Sequence, residues 1–427
     1  MSKPLSAMTE AELQTELSAL RNEYSKVKAK GLSLDMSRGK PCTEQLGLSD
    51  DLLFALKSKE DCKTASGFDI RNYGLPGGVP ELSALFAELL EVPAENIILG
   101  GNSSLNMMYD TVCRAILFGT YGNCLPWKDQ GKIKFLCPVP GYDRHFAICE
   151  RCGIELVPVS MTGKGPNMDE VEELVKDPSV KGIWCVPKYS NPTGETYSDE
   201  TVRRIAALRP AAEDFRVFWD MAYALHHLDD TPDELLNIFD LIKGTENENL
   251  VYAFFSTSKI TYAGAGIAVM VSSEENIRRA KADIAFQTIS PDKINQLRHM
   301  KYLKDADNVR ALMKKHAAIL KPKFDATIRI FRENLGDQDF VHWTEPHGGY
   351  FISLDVMKGT AKRVVSLCKE AGVTLTPAGS TFPYKHDPED KNIRIAPSYP
   401  SASDVEKAMA VVCLCVKLAA AEKLMNN

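Results

Sequence analysis

The chain has 427 residues, of which 44% are hydrophobic and 25% are charged, and its formal net charge is −6. An acidic chain of this balance lacks the basic face that nucleic-acid binding requires, so no nucleic-acid partner is expected. The length exceeds what one simple core normally holds, and we therefore expect two domains.

The N-terminal stretch, residues 1–24, shows neither the apolar core nor the small-residue cleavage site of a secretory signal peptide. No run approaches the roughly 18 apolar residues that a membrane helix needs, so no membrane partner is expected. The eleven cysteines form no paired framework, which is typical of free thiols in the cytoplasm. Cys149 and Cys152 form a C-x-x-C pair, which either binds a metal or is buried on a helix. Because no second pair stands at zinc-site spacing, we expect no metal.

The first predicted element is a helix over residues 9–30. Thr9 is its N-cap, Glu12 completes a capping box, and leucines recur at helical spacing from Leu13 onward. A second helix, Pro80–Leu90, is predicted from the proline in its first turn and the apolar residues that follow.

Short apolar runs then alternate with helical stretches. The runs are rich in β-branched and aromatic residues on consecutive positions, which is typical of strands covered on both faces. With helices between most of them, they predict an α/β fold with a mostly parallel seven-stranded sheet. The predicted strands are Ile97–Leu99, Ile133–Cys137, Ile154–Pro158, Gly182–Val186, Val217–Trp219, Val251–Phe255 and Ile267–Val271.

The rest of the chain predicts a smaller α+β domain. Its expected elements are long helices within 293–335, the run Gly349–Ser353, a helix near 359–371, the run Ile393–Ala396, and a final helix capped by Ser403. We expect residues 51–305 to form a large domain and residues 306–427 a small one. Residues 1–50 are expected to pack with the small domain, because neither looks large enough alone.

The first candidate site follows the predicted strand Ile97–Leu99, where two glycines precede Ser103, Ser104 and a helix. Glycine lets a ligand approach the backbone, and the free N–H groups at a helix start bind anions. An ordinary N-cap serine explains the pattern equally well. The stretch matches neither the dinucleotide-binding nor the P-loop pattern.

Two further candidates follow predicted strands. Tyr142 either stacks on a flat ring or packs in the core. Asn191 opens an Asn-Pro-Thr-Gly sequence, which is ordinary turn chemistry, although its amide could also donate to a phenolate-like oxygen on a cofactor ring.

The end of the strand Val217–Trp219 carries a carboxylate, Asp220, and a phenol, Tyr223, three residues later. Ligands of open α/β sheets bind at the carboxyl ends of the strands. A carboxylate there can hold a pyridine nitrogen protonated, which makes the ring an electron sink. The alternative is that Asp220 is a simple helix N-cap.

Lys259 ends the sequence Ser-Thr-Ser-Lys, just beyond the strand Val251–Phe255. A lysine at the end of a buried strand is partly desolvated, which favours the neutral amine that a Schiff base requires. A surface lysine at the start of a loop is the commoner explanation.

Arg394, inside the apolar run Ile393–Ala396, needs a partner, either a ligand carboxylate or a structural Asp or Glu.

In their order along the chain, these motifs resemble those of fold-type I enzymes dependent on pyridoxal 5′-phosphate (PLP), and among them the class I/II aminotransferases. The resemblance covers nearly the whole chain. It includes Asn-Pro-Thr-Gly from Asn191, Asp-x-x-Tyr from Asp220, Ser-x-Ser-Lys ending at Lys259, and the late Arg394. Ser37–Pro41 and Pro187–Asn191 look like the aspartate-type subgroup related to the aminotransferase-like domain of MocR regulators.

The resemblance implies the PLP-transferase fold, PLP as cofactor, and a homodimer with shared active sites. Lys259, Asp220 and Tyr223 would be catalytic: Lys259 binds the cofactor and moves the substrate Cα proton, Asp220 pairs with the pyridine nitrogen, and Tyr223 bonds the ring 3′-oxygen. The other residues implied to bind the cofactor are Asn191 at the same oxygen, Tyr142 on the ring, and Ser103, Ser104, Ser256, Ser258 and a partner subunit's Tyr73 at the phosphate. The substrate carboxylate would meet Arg394, Gly39 and Asn191.

One departure from the family pattern concerns the phosphate. An arginine usually follows the lysine by seven or eight residues, but residues 260–267 contain no cation. Arg38 or Lys188 could supply the missing charge or bind a second substrate carboxylate.

The resemblance implies an aminotransferase that moves an amino group from aspartate or another dicarboxylic amino acid to 2-oxoglutarate in a ping-pong reaction. Two alternatives stay open. One is a PLP-binding regulator of transcription without catalysis, although only about thirty residues precede Leu32, too few for a DNA-binding domain. The other is a β-lyase, decarboxylase or racemase on the same fold.

Overall fold

The computed structural model describes residues 3–120 and 124–426 of the chain. Its helices are α1 (Glu10–Lys28), α2 (Thr43–Gly47), α3 (Pro80–Leu90), α4 (Ser104–Phe118), α5 (Asp143–Arg151), α6 (Met168–Leu174), α7 (Asp199–Ala206), α8 (Ile238–Ile242), α9 (Glu274–Gln287), α10 (Lys293–Leu303), α11 (Ala306–Leu335), α12 (Ala361–Glu370) and α13 (Ala402–Met425). Its strands are β1 (Leu34–Asp35), β2 (Ile97–Leu99), β3 (Lys134–Val139), β4 (Glu155–Ser160), β5 (Val180–Cys185), β6 (Arg216–Asp220), β7 (Val251–Ser256), β8 (Ala268–Val271), β9 (His342–Trp343), β10 (Ile352–Asp355), β11 (Val373–Thr374) and β12 (Asn392–Ile395).

The seven predicted strands all lie in one seven-stranded sheet, with the order β2-β8-β7-β6-β5-β3-β4. Only β8 runs against its neighbours, so the sheet is mostly parallel, as predicted. The strand ends differ from the prediction by at most two residues, and both ends of β2 are as predicted. For example, β3 begins at Lys134 and reaches Val139, because backbone pairing continues beyond the apolar run.

The two faces of this sheet bury different side chains, as the alternation of a pleated strand requires. In β6, Val217 and Trp219 belong to one buried cluster, whereas Phe218 belongs to a cluster on the other face. A strand covered on both faces in this way has a continuous run of apolar residues in its sequence, which explains why the strands could be predicted.

The C-terminal part carries a smaller antiparallel sheet, β12-β10-β9, in which Arg394 is paired with Ser353. Helix α1 has the predicted capping box of Thr9 and Glu12. It packs in the same buried cluster as α13, and the hydroxyl of Tyr24 donates to the carbonyl of Leu367 at 2.9 Å. The predicted domain boundaries after residues 50 and 305 stay a prediction.

The predicted cap of the final helix is wrong. Ser401 has extended backbone angles and accepts the N–H of Asp404 at 3.1 Å, so the cap lies two residues before Ser403, which falls in the first turn of the helix. The long helices predicted within 293–335 are α10 and α11, separated at Lys304, where φ is 63°, and Asp305. Among the residues that the structure describes, no helix is long and apolar enough to cross a membrane.

Candidate active site

A cavity of about 370 Å³ lies at the carboxyl edge of the large sheet, beyond the ends of β5, β6 and β7. This is the edge at which open α/β sheets bind their ligands. Residues from five parts of the chain, widely separated in sequence, line it. They are Ser104, Leu105, Met108, Tyr142, Val186, Asn191, Asp220, Ala222, Tyr223 and Lys259.

Lys259 lies three residues beyond β7, and its amine is 4.8 Å from the ring centre of Tyr223. Burial lowers the pKa of this amine, and the Asp220 carboxylate opposes the shift. Lys259 is therefore not the exposed surface lysine of the alternative interpretation. The lowered pKa makes the neutral form, which attacks a carbonyl carbon or accepts a proton, easier to reach.

Asp220 is the last residue of β6 and is buried. One of its oxygens accepts the backbone N–H of Ala222 at 3.1 Å, and the other lies 3.0 Å from Nε2 of His145. The imidazole of His145 stacks on Trp184, with ring centres 4.4 Å apart. Asp220 begins no helix, so the N-cap interpretation does not apply, and its carboxylate is fixed in direction by two contacts.

His145 was not a predicted site residue. It lies three positions after Tyr142 in the first turn of α5, so both side chains reach the same side of the helix. Their rings are 4.9 Å apart in an edge-to-face contact. This spacing was the only signal in the sequence, and it could not identify Asp220 as the partner.

Arg394 is buried at the edge of the cavity. Its guanidinium donates to Asn191 Oδ1 at 3.3 Å and forms an ion pair with Asp143 at 3.0 Å. The ring of Phe351 lies 4.9 Å from the guanidinium carbon. Within the described chain, the Nε atom of Arg394 has no hydrogen-bond partner. The guanidinium thus keeps an unused donor beside the cavity, although Asp143 already provides one carboxylate.

Two phenols line the cavity, those of Tyr142 and Tyr223. Burial is the main cause that raises the pKa of each hydroxyl. Both therefore stay protonated at neutral pH and can donate a hydrogen bond to an anionic oxygen.

The predicted phosphate-binding serines lie around the start of α4. Ser104 lines the cavity, whereas Ser103 caps the helix by accepting the N–H of Asn106 at 3.4 Å. The hydroxyl of Ser258 donates to the carbonyl of Asn102 at 3.0 Å. Ser256 is the buried last residue of β7 and does not line the cavity. Among these serines only Ser104 lines the cavity, so the donors that an anion would meet there are its hydroxyl and the N–H groups at the start of α4.

In the part of the chain that the structure describes, the lining of the cavity offers no arginine in place of the one that family members use to bind the cofactor phosphate. Among the described residues that line it, Lys259 is the only basic one. Lys188 is half-buried and lies near the acidic side chains of Asp233 and Glu234, away from the lining, and Arg38 is exposed. The roles suggested for Arg38 and Lys188 stay predictions.

Two other predicted site residues also lie outside the lining. Tyr73 is 74% exposed, so it faces away from the interior of its own chain. Gly39 packs against Phe351, and a β-carbon at position 39 would come within 2.2 Å of the phenyl ring. Gly39 therefore touches the aromatic ring that packs on Arg394 and has no direct contact with the cavity.

A buried amine and a fixed carboxylate at the carboxyl edge of this sheet define the class of fold-type I aminotransferases, enzymes that use PLP. Residues 8–427 match the family model described as aspartate amino-transferase. The chain belongs to the aspartate aminotransferase family.

Individual relatives support the same assignment. The chain is 48% identical over 407 residues to an aspartate aminotransferase of Corynebacterium glutamicum, covering 95% of this chain and 94% of the relative. The crystal structure of an aspartate transaminase from that organism superposes with a TM-score of 0.96 at 46% identity, covering 99% and 100% of the two chains. The predicted relation to MocR regulators is also found: the uncharacterized HTH-type transcriptional regulator YisV of Bacillus subtilis is 24% identical over 274 residues, which cover 62% of this chain and 52% of YisV.

Proposed function

We propose that this aminotransferase transfers the amino group of aspartate, or of another dicarboxylic amino acid, to 2-oxoglutarate in a ping-pong reaction. The observation that carries the proposal is that Lys259 and Asp220 line one cavity with Arg394 at its edge. An amine, a carboxylate and a guanidinium are the groups that such a transfer requires. We further propose that the enzyme acts in the cytoplasm, where its eleven free thiols stay reduced.

The residues of the cavity fit PLP. The desolvated amine of Lys259 suits an aldehyde, the buried carboxylate of Asp220 suits a ring nitrogen, and the start of α4 suits a phosphate. Asn191 and Tyr223 would hold the oxygen of the ring, and Tyr142 would lie against its face. When bound, PLP supplies the electron sink that weakens the bonds at the substrate Cα.

The protein's own groups then do three things. Lys259 accepts the proton from the substrate Cα and returns it to the cofactor side of the site. Asp220, held by His145, would accept a hydrogen bond from the ring nitrogen. Arg394 binds the α-carboxylate of the substrate through a charge-assisted pair. Each role follows from the chemistry of the side chain and its place at the cavity.

The choice of aspartate rests on a named relative and on charge. The relative from Corynebacterium glutamicum bears the name aspartate aminotransferase and is 48% identical over nearly the whole chain. The Asp143–Arg394 pair must rearrange when a substrate carboxylate binds, since both carboxylates compete for one guanidinium. A dicarboxylic substrate carries a second carboxylate, and this additional negative charge favours the substrate over Asp143 as the partner of the guanidinium.

A half-reaction in the absence of any oxo acid tests the proposal. Holoenzyme mixed with L-aspartate should lose the visible absorbance of bound PLP and release one equivalent of oxaloacetate per site. The Lys259→Ala variant should retain its fold and form no product, because the proton-accepting amine is gone. If the visible band of the wild type ignores aspartate, glutamate and the other common amino acids, transamination is not its reaction. Retention of the visible band together with release of ammonia, or of alanine and carbon dioxide, would indicate the lyase or decarboxylase alternative.

A further inference from the structure

Three buried histidines from three different elements contact three consecutive residues, Lys259–Thr261. His226, in the loop after β6, places Nε2 3.3 Å from the carbonyl oxygen of the lysine. His316, on α11, places Nε2 2.9 Å from the carbonyl oxygen of the next residue. His299, on α10, places Nε2 2.9 Å from the hydroxyl of the third. None of these histidines lines the cavity, so the chemistry described above does not use them.

The proton of each imidazole can be assigned from its partners. A carbonyl oxygen only accepts, so His316 donates from Nε2 to Ile260, and its Nδ1 accepts from the amide of Gln45 at 3.0 Å. His226 likewise donates from Nε2 to Lys259. Its Nδ1 is buried without a partner among the described residues, so a proton there would be left unsatisfied.

His299 has the opposite tautomer. Its Nδ1 lies 2.8 Å from the carbonyl of Asn295 and must donate, so its Nε2 accepts from the hydroxyl of Thr261. Burial is the main cause that lowers the pKa of all three imidazoles, that of His299 to about 4. All three are therefore neutral at neutral pH, and each makes the contact that its neutral tautomer permits.

We propose that His226, His299 and His316 are positioning residues that fix the backbone from which the amine of Lys259 extends. The proposal rests on the catalytic role proposed above for Lys259. A lysine has four rotatable side-chain bonds, so the direction of its amine depends on how firmly its backbone is held. Because proton transfer requires near-contact geometry, a misplacement of about 1 Å can cost up to about a hundredfold in rate.

Ordinary core packing does not explain this arrangement. A buried imidazole costs more than an apolar side chain of similar size unless its hydrogen bonds are made. The contacts also extend to the N-terminal segment, since Gln45 donates both to His316 and to the hydroxyl of Tyr350. That hydroxyl lies 3.5 Å from the carbonyl of Lys259. The polar contacts therefore converge on the segment Lys259–Thr261 and are not spread through the core.

The test compares leucine and glutamine at positions 226 and 316. Leucine keeps most of the volume but removes the donor, whereas the amide nitrogen of glutamine can replace Nε2. Two quantities are measured. The first is the rate at which Lys259 of the apoenzyme captures added PLP, with the adduct trapped by borohydride and located by mass spectrometry. The second is the kinetic isotope effect of Cα-deuterated L-aspartate on the half-reaction. We expect His226→Leu and His316→Leu to slow the capture about tenfold and to raise the isotope effect. The glutamine variants should restore both quantities toward wild type.

A matched control is His227→Leu, next to His226, which removes a 2.9 Å contact with the hydroxyl of Tyr189 and none with residues 259–261. It should lower the melting temperature while leaving both quantities unchanged. If a leucine variant fails to fold, Thr261→Val serves instead. It removes the hydroxyl that donates a hydrogen bond to His299 and should raise the isotope effect.

The outcomes separate this proposal from the function on which it rests. A trapped adduct on Lys259 of the wild type, with leucine variants that lose only stability, overturns the positioning role and leaves the proposed function intact. An adduct on no lysine of the wild type overturns both. Glutamine variants as slow as the leucine variants also contradict the proposal, because the donor would then not be the feature that matters.

Discussion

Two opposing effects act on the amine of Lys259. Burial removes water from the ammonium and favours the neutral form, while the carboxylate of Asp220 favours the charged form. The net shift lowers the pKa, so the loss of water outweighs the attraction. The cavity therefore makes the neutral form of the amine easier to reach than it is in water, even with a carboxylate nearby.

Arg394 is the residue whose loss should affect substrate binding most selectively. We expect Arg394→Ala to raise the KM for both the amino acid and the oxo acid, since a charge-assisted pair contributes about 2–3 kcal/mol. Steady-state kinetics with each substrate varied in turn measures the change. Arg329→Ala is a suitable control, because Arg329 is an exposed arginine of α11 that pairs with Glu406. A KM within twofold of wild type in Arg394→Ala would remove Arg394 from the substrate site.

At the scale of elements, the sheet could be predicted because its strands are short, apolar on consecutive positions and followed by polar residues. The same pattern placed Asp220 and Lys259 correctly at strand ends. Parallel strands bring their carboxyl ends to one edge, so residues about forty positions apart in sequence were expected to meet. The order of elements thus carried most of the information about the site.

The contacts between elements could not be predicted. His145 and Asp220 are 75 positions apart, and Asp143 and Arg394 are 251 positions apart. Nothing in either local sequence favours these partners over other carboxylates, because each pair depends on how α5 is oriented between the large sheet and β12. The cap at Ser401 was missed for a different reason, since Ser401 and Ser403 both suit an N-cap and only the backbone angles distinguish them.

The turn at Gly39 offers a test of how one element supports another. A β-carbon at this position would come within 2.2 Å of Phe351, whose ring packs on Arg394. We therefore expect Gly39→Ala to displace the ring and to raise the KM for the amino acid several-fold, with a smaller effect on kcat. Gly47→Ala is the matched control, since the nearest atom to its β-carbon would be 3.9 Å away. Equal KM values for the two variants would contradict the link between the turn and the arginine.

At the scale of the whole molecule, we propose that the site is shared between two subunits, with Tyr73 supplied by the partner. Tyr73 is 74% exposed, and Phe286 on α9 is 96% exposed. The segment that carries Tyr73 approaches α9, because a β-carbon at Gly77 would lie 3.6 Å from the side chain of Lys281 on that helix. Large exposed apolar side chains are common at protein–protein interfaces. They support the proposal of a homodimer in which Tyr73 reaches the phosphate site of the partner subunit.

Mixed dimers test this proposal directly. Lys259→Ala inactivates its own chain, and Tyr73→Ala should weaken PLP binding in the other chain if the tyrosine acts across the interface. When the two variants are co-expressed, about half of the dimers are mixed, and each mixed dimer regains one intact site, so about a quarter of the wild-type activity should return. If Tyr73 acts within its own chain, every site carries one defect and mixing restores nothing. A different affinity tag on each variant, with purification over both tags in turn, establishes that the mixed dimers form, which makes the absence of recovery a result about the site and not about assembly.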